Sequence, residues 1–319
     1  MKQIILDFPK QFETGFNATG NIGSDLKGFN FKSILICGMG GSALTGELLQ
    51  IFDLKIPVFV HKNYNIPSFV SKEDLIIINS YSGNTEETLS AFIKAKNIYA
   101  KVIVITSGGK LESLAKEHLI PFILVPQGIK PRMAIGYQFA ALLKVLKNIG
   151  ILSFSEEEVL SFCEKLNQEN LEKEGKNIAS KIENKTPIIY SSQKYKPLAY
   201  IFKIVLNESG KIYAFYNYFP ELNHTEIEAF NEKNNKFLFL ILKSNDELPE
   251  INKRMQITKE IIENKENQIE FIEITGKNEI EKIINQILIF YWTSYYLTQK
   301  KNINPFEDKL IDSLKEKMK

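Results

Sequence analysis

Short apolar runs that alternate with helix-length segments constrain the fold of this chain more than any other feature. In the first half, runs rich in β-branched residues fall at 33–37, 56–60, 75–79, 101–106 and 121–125. Helices are predicted between and after them, at 42–52, 85–98, 110–118 and 132–148. Strands that are apolar on both faces are typical of parallel sheets with helices packed on each side. The pattern therefore predicts an α/β domain over residues 15–150.

The same alternation returns after a polar helical stretch at 155–183, in which Ser155 and Glu158 have the spacing of a capping box. Strands are then predicted at 186–191, 212–216, 236–243 and 268–273. Helices are predicted at 195–209, 224–230, 247–264, 278–300 and 306–317. We therefore predict two tandem αβα sandwich domains, each with a mainly parallel sheet flanked by helices, and the second covers residues 151–319.

Charge and composition exclude several classes of protein. The 319 residues carry 40 Lys plus Arg against 38 Asp plus Glu, and this net charge of +2 disfavours a nucleic-acid partner. No stretch approaches the roughly 18 apolar residues of a membrane span, and residues 1–12 lack the pattern of a signal peptide. Cys37 and Cys163 are too far apart in sequence to suggest a disulfide framework or a metal cluster. A cytoplasmic location is expected.

Two loops rich in small and hydroxyl residues each follow a predicted strand and precede a predicted helix. The first spans residues 37–42 (CGMGGS), and the second spans residues 79–88 (NSYSGNTEET). Backbone N–H groups, hydroxyls and the open N-terminus of a helix are suitable donors for a phosphate group. A helix cap needs only one hydroxyl, whereas the second loop offers four. The loops therefore predict a phosphorylated small-molecule ligand.

A nicotinamide dinucleotide is an alternative ligand, because Gly38, Gly40 and Ala43 fit the dinucleotide fingerprint. That motif requires an acidic residue at the end of the next strand. Here the next apolar run ends in His61 and Lys62. The missing acid disfavours this alternative, which also leaves the second loop unexplained.

The second loop resembles the phosphate-binding signature of sugar isomerase (SIS) domains, and the first resembles their first loop. Further segments extend the resemblance to the bifunctional phosphoglucose/phosphomannose isomerases over nearly the whole chain. These segments are PQGIKPRMAIGY at 126–137, LNES at 206–209, FPELNHTE at 219–226 and IDSLK at 311–315. The resemblance implies two SIS domains, a dimer, an active site between the domains and an aldose–ketose isomerisation that needs no metal or cofactor.

The resemblance also implies roles for individual residues. Gly41, Ser42, Ser80, Ser82 and Thr85 would hold the sugar phosphate. Arg132, Glu208, His224 and Lys315 would be catalytic, and His224 would come from the partner subunit of a homodimer.

The reaction needs such residue types. An acid and a base open the sugar ring, which a histidine or a lysine can do, and one carboxylate moves a proton between C1 and C2. A guanidinium can stabilise the enediolate charge.

Each catalytic candidate also has a structural alternative. Glu208 could instead be a surface acid, but an acid at the C-terminal end of a helix interacts unfavourably with the helix dipole and costs about 0.3–1 kcal/mol of stability. His224 could be a capping-region residue, and Lys315 could be an ordinary lysine of the C-terminal tail.

Two other functions remain open at this point. A non-catalytic sugar-phosphate sensor would need a DNA-binding module, and the thirty or so residues before the first strand offer none. The isomerase part of an amidotransferase would need a glutaminase domain, and Met1-Lys2-Gln3 has no cysteine nucleophile. An interconversion of glucose 6-phosphate, mannose 6-phosphate and fructose 6-phosphate is the function expected.

Overall fold

The structure, a computed structural model, describes residues 1–20 and 26–318. The chain divides into two compact units. The first unit is Leu6–Leu166, and the second unit is Met1–Ile5 together with Asn167–Lys319. The predicted domain boundary after residue 150 therefore lies within the first unit.

The first unit contains a sheet with the strand order β1-β6-β5-β4-β2-β3. All neighbouring strands are parallel except β1, which pairs antiparallel with β6. The strands are β1 Thr19–Gly20, β2 Ile34–Cys37, β3 Val58–His61, β4 Leu75–Ser80, β5 Lys101–Thr106 and β6 Phe122–Leu124. Every residue of β2 and β4 is buried, as expected for central strands covered on both faces.

Helices cover both faces of this sheet. The helices of the first unit are α2 Lys10–Phe16, α3 Gly41–Leu49, α4 Glu86–Asn97, α5 Gly109–Glu117, α6 Ile135–Asn148 and α7 Glu156–Glu164, of which α2 packs on α6. Helix α1 Lys2–Leu6 precedes them and belongs almost wholly to the second unit. On one face, Phe92 of α4 and Leu111 of α5 pack in one cluster with Leu35, Ile76 and Val104 of the sheet. A short 3-10 turn, Pro131–Met133, leads into α6.

Residues after 150 stay with the first unit because α7 is attached to α6. The carboxylate of Glu156 lies 2.6 Å from Lys144 Nζ and 2.8 Å from Lys147 Nζ. The Ser155 hydroxyl accepts a hydrogen bond from the Glu158 N–H at 3.1 Å, which confirms the predicted cap. The stretch predicted at 155–183 is two helices, because Asn167 caps a new helix by accepting from the Asn170 N–H.

The second unit contains a sheet with the strand order β10-β9-β7-β8, and all its neighbours are parallel. Its strands are β7 Thr186–Ser192, β8 Phe215–Phe219, β9 Phe237–Lys243 and β10 Ile269–Glu273. Its helices are α8 Gln168–Ile182, α9 Lys196–Glu208, α10 Leu222–Thr225, α11 Pro249–Asn264, α12 Glu279–Lys301 and α13 Lys309–Lys317. The predicted α/β architecture with parallel sheets is confirmed.

Three details differ from the prediction. Strand β8 begins three residues later than the predicted run at 212–216. The helix predicted at 224–230 is the short α10 followed by a 3-10 helix, Glu226–Asn231. The helices α1 and α2 and the edge strand β1 were not predicted. In the part of the chain that is described, no helix is both long and apolar enough to cross a bilayer.

Candidate active site

Strands β2 and β4 are neighbours at the point where the strand order of the first sheet reverses. From β2 the chain passes to β3 on one side, and it later returns to β4 on the other side. Cys37 pairs with Ile78, so the loops that follow β2 and β4 leave the same edge next to each other. Open parallel sheets bind ligands at such a switch point, outside the carboxyl ends of the strands. Both predicted phosphate-binding loops therefore lie at the switch point of the first sheet.

The first loop packs directly against the turn that carries Arg132. A Cβ on Gly41 would lie only 2.8 Å from the Pro131 carbonyl oxygen and 3.1 Å from the Arg132 nitrogen. Arg132 is 4% exposed, and the Gln11 side chain holds its turn by donating to the Met133 carbonyl at 2.9 Å. The fold thus brings Arg132 to the first loop, although the two are far apart in sequence.

The sequence predicts that the Ser42 hydroxyl binds the phosphate directly, but in the structure this hydroxyl is buried and bonded within the protein. Its hydroxyl donates to Gln138 Oε1 at 2.8 Å and accepts from the Tyr81 N–H at 2.9 Å. The Asn79 side chain donates to the Ser42 carbonyl at 2.9 Å. Ser42 is 4% exposed, and its hydroxyl has both of these partners inside the protein. The side chain therefore fastens the first loop to the second.

Three hydroxyls of the second loop converge at the start of α4. The Ser80 hydroxyl donates to Thr85 Oγ1 at 3.2 Å, and the Ser82 and Thr85 hydroxyl oxygens are 3.5 Å apart. Thr85 occupies the N-cap position but makes no capping hydrogen bond with its side chain. The Thr85 hydroxyl is thus directed at its neighbours instead of at the helix, and the helix N-terminus is open to an anion.

A third loop, at residues 107–109 after β5, supports the second loop from behind. The Asn84 Oδ1 accepts from the Lys110 N–H at 3.0 Å, and the Gly83 carbonyl accepts from the Leu111 N–H at 2.9 Å. These bonds satisfy free N–H groups at the start of α5, whose N-cap Gly108 offers no side chain. This support is not predicted from the sequence. The Gly108-Gly109 pair after a strand is the sequence feature that indicates a further functional loop here.

Cys37 is the last residue of β2 and lies under the first loop. Burial raises the pKa of its thiol to about 12, and burial also raises the pKa of the Cys163 thiol to about 12. Such thiols stay protonated and are poor nucleophiles near neutral pH. In residues 1–20 and 26–318, no group of three His, Cys, Asp or Glu side chains could hold a metal ion.

The predicted catalytic residues of the second unit lie on separate elements. Glu208 is the last residue of α9 and is half-buried, so it lies at the edge where β8 begins. His224 lies on α10, just beyond the opposite end of β8, and its side chain is exposed. Lys315 lies on α13, a helix with no buried residue. At about 3.3 Å per residue, β8 alone separates the two edges by roughly 13 Å.

Two family models match the chain. The SIS domain model matches residues 29–142, and the model of the bacterial phospho-glucose isomerase C-terminal SIS domain matches residues 171–318. Two solved structures share the fold at low sequence identity. The C-terminal domain of glucosamine-fructose-6-phosphate aminotransferase from Francisella tularensis has a TM-score of 0.70 at 18% identity, covering 95% of this chain and 96% of that one. Glucosamine-6-phosphate deaminase from Thermotoga maritima has a TM-score of 0.66 at 14% identity, with 95% of each chain covered.

Curated relatives are more similar in sequence. The bifunctional phosphoglucose/phosphomannose isomerase of Caldicellulosiruptor bescii is 33% identical over 100% of this chain and 98% of its own. The enzyme of the same name from Thermoplasma acidophilum is 36% identical over 90% of each chain. D-glucosamine-6-phosphate 4-epimerase of Sulfolobus acidocaldarius is 31% identical over 90% of this chain and 89% of its own. On these similarities, the chain belongs to the bifunctional phosphoglucose/phosphomannose isomerase family.

Proposed function

We propose that the protein is an aldose–ketose isomerase that interconverts glucose 6-phosphate and mannose 6-phosphate with fructose 6-phosphate through a cis-enediolate. The observation that carries the proposal is the convergence of the Ser80, Ser82 and Thr85 hydroxyls at a sheet switch point. The same edge carries the buried Arg132, whose turn packs against Gly41. This set of donors suits a sugar phosphate, and the relatives named above act on phosphorylated sugars.

The phosphate group binds to the three hydroxyls, to the backbone at Gly41 and to the N-terminus of α4. Hydrogen bonds from neutral donors to a charged phosphate are worth about 1.5–3 kcal/mol each. Ser42 contributes by holding the two loops together, since its hydroxyl already has partners in Gln138 and Tyr81. The phosphate therefore anchors the substrate and takes no part in bond changes.

The proton transfer takes place at the other end of the sugar. Glu208 acts as the base that carries a proton between C1 and C2, because a single carboxylate can serve both carbons. The guanidinium of Arg132 stabilises the negative charge of the enediolate, and it does so without losing its proton. The mechanism uses only side chains of the protein, with His224 and Lys315 opening the ring.

His224 acts on the substrate of the partner subunit in a homodimer. The support for this arrangement is topological: Glu208 and His224 of one chain lie at opposite edges of the same sheet. Two groups so placed cannot contact the same carbon atoms of a small sugar. A second chain can bring its own His224 to the edge at which Glu208 lies.

Mixing two inactive variants tests the shared site. Random pairing of Glu208→Gln and His224→Asn subunits makes half of the dimers mixed, and each mixed dimer regains one intact site if His224 acts across the interface. We expect about a quarter of the wild-type activity after subunit exchange. A cis arrangement predicts no recovery, and a fully active monomer in sedimentation would also refute the shared site.

A coupled assay with fructose 6-phosphate tests the activity itself. Both glucose 6-phosphate and mannose 6-phosphate should appear, and formation of neither refutes the proposal. Glu208→Gln should lower kcat by a factor of about 10²–10⁴ while the KM stays close to the wild-type value. If this variant keeps normal turnover, another residue is the base.

A 4-epimerase acting on glucosamine 6-phosphate is a second candidate, favoured by the relative from Sulfolobus acidocaldarius. Incubation with glucosamine 6-phosphate separates the two functions, because an isomerase of the proposed kind produces no galactosamine 6-phosphate. A non-catalytic sensor is disfavoured, since the relatives reported above carry the names of enzymes. The cytoplasmic location stays a prediction.

A further inference from the structure

The second sheet has a switch point of its own. From β7 the chain passes to β8 on one side, and it then returns to β9 on the other side. The loops after β7 and β9 therefore leave the same edge next to each other, as the two phosphate-binding loops do in the first sheet. In this unit the loops carry charged side chains in place of the hydroxyl cluster.

One carboxylate lies at the centre of these charged side chains. Asp246 accepts from Lys282 Nζ at 2.7 Å, from Lys194 Nζ at 3.0 Å and from the Tyr195 hydroxyl at 3.0 Å. The Ser244 hydroxyl also donates to Asp246. Two ammonium groups and two hydroxyls thus surround a single oxyanion. We call these four donor residues the anion cradle.

Because Lys282 is buried, the anion cradle requires an anion at its centre. The Lys282 side chain is only 9% exposed, so its charge needs a close counter-charge. The Asp246 side chain is 39% exposed, so the cradle is open to solvent on one side. Burial opposes ionisation of Asp246, but the hydrogen bonds of the cradle outweigh it and hold the pKa of this carboxyl well below its usual range.

Further acids surround the cradle. The Ser192 hydroxyl donates to Glu247, and Lys194 also lies 3.2 Å from the carboxylate of Glu279. Without Asp246, two lysines would face these two carboxylates, and the local charge would be close to neutral. Asp246 supplies a single negative charge to this group, so the vacant cradle would match a small oxyanion with a single negative charge.

We propose that Asp246 is a built-in oxyanion that fills the ligand position of the second sheet and closes it to external anions. Of the two sheet switch points, only the one in the first sheet then binds a phosphate group. This last step rests on the proposed function, whereas the closed position rests only on the contacts of Asp246.

Removal of the carboxylate should open the cradle. We compare Asp246→Ala with the wild type, with Asp246→Asn and with Glu266→Ala, which removes an exposed partner of Lys233 in the same unit. The probe is sodium formate, which matches the removed group in size and charge, against sodium chloride at the same ionic strength. At a formate concentration of roughly five times its dissociation constant, the Tm of Asp246→Ala should rise by about 2–4 °C.

The controls should show the same Tm in formate and in chloride. An Asp246→Ala response no larger than that of the wild type, or an equal response of Glu266→Ala, overturns the proposal. If Asp246→Ala is insoluble in chloride, recovery of folded protein in formate supports the proposal, and failure to recover in either salt overturns it.

Inorganic phosphate separates this inference from the proposed function. Calorimetric titration of the wild-type protein should show one phosphate per chain, and two per chain would overturn the closed position. No bound phosphate would count against the phosphate site of the first unit, while the closed second position would stand.

Discussion

Ser42→Ala is the most informative single substitution, because it separates a structural role of this hydroxyl from a direct contact with substrate. The hydroxyl joins the Tyr81 N–H to the Gln138 side chain. Alanine removes both bonds and puts nothing in their place. The exposed fractions are 4% for Ser42, 5% for Tyr81 and 0% for Gln138, so water cannot readily replace the lost partner.

The expected loss of stability follows from the two partners that stay behind. A buried polar group without a hydrogen-bond partner costs about 1–3 kcal/mol. Partial rotation of the Gln138 amide relieves some of this cost, so we expect Ser42→Ala to lower the free energy of unfolding by about 2–4 kcal/mol. For a domain of this size, the Tm should fall by roughly 5–15 °C.

The assay pairs this variant with Ser82→Ala, which removes a serine hydroxyl from an exposed position of the second loop. Ser82→Ala should change the free energy of unfolding by no more than about 0.5 kcal/mol. It should raise the KM for fructose 6-phosphate about 10- to 100-fold with little change in kcat, because it removes a proposed phosphate contact that lasts throughout the reaction. Urea unfolding and steady-state kinetics on both proteins give the comparison.

The reasoning fails if Ser42→Ala unfolds within about 0.5 kcal/mol of the wild type, since the two buried partners would then cost nothing. A double-mutant cycle with Gln138→Met adds a second check. Removal of both partners should cost less than the sum of the single substitutions, because the glutamine oxygen is no longer left unpaired.

Three further predictions have expected outcomes, two of them with a matched control substitution. Asn84→Ala should cost about 1 kcal/mol and raise the KM by loosening the second loop, whereas Asn167→Ala, which uncaps α8, should cost the same and leave the KM unchanged. Lys315→Met should lower kcat, and Lys317→Met on the same exposed helix should not. Burial opposes ionisation of Glu156, but hydrogen bonds from Lys144 and Lys147 hold its pKa below the ordinary value of 4.5. A lowered folded-state pKa adds its full stability above the unfolded-state pKa, and this stability is lost as the pH falls through the folded-state pKa. Glu156→Gln should therefore cost about 1 kcal/mol at neutral pH in urea unfolding, and this cost should shrink progressively as the pH falls below about 4.5.

The sequence predicts the central strands well because their burial is complete. The runs at 75–79 and 101–106 match β4 and β5 to within one residue. The predicted start of β8 is too early because backbone N–H groups just before the strand already donate hydrogen bonds elsewhere. The Gly210 and Ile212 N–H groups donate to carbonyls in the last turn of α9, so they are not available for a strand.

The candidate site is predictable in position but not in its internal bonds. Loops that follow neighbouring parallel strands must share an edge, and this places the two proposed phosphate-binding loops together. The contacts of Ser42 with Gln138 and of Asn84 with the start of α5 depend on how distant segments pack. No local pattern in one sequence indicates such contacts.

The support behind the second loop has a consequence for stereochemical selectivity. Because Gly83 and Asn84 are held by the start of α5, the proposed phosphate site keeps its shape before the sugar arrives. Glucose 6-phosphate and mannose 6-phosphate differ only in the configuration at C2, four carbons away from the phosphate-bearing C6. A rigid anchor at C6 contributes the same binding energy to both epimers and to the ketose. The anchor therefore cannot distinguish them, and any preference between the epimers arises solely from the side chains that surround C1 and C2.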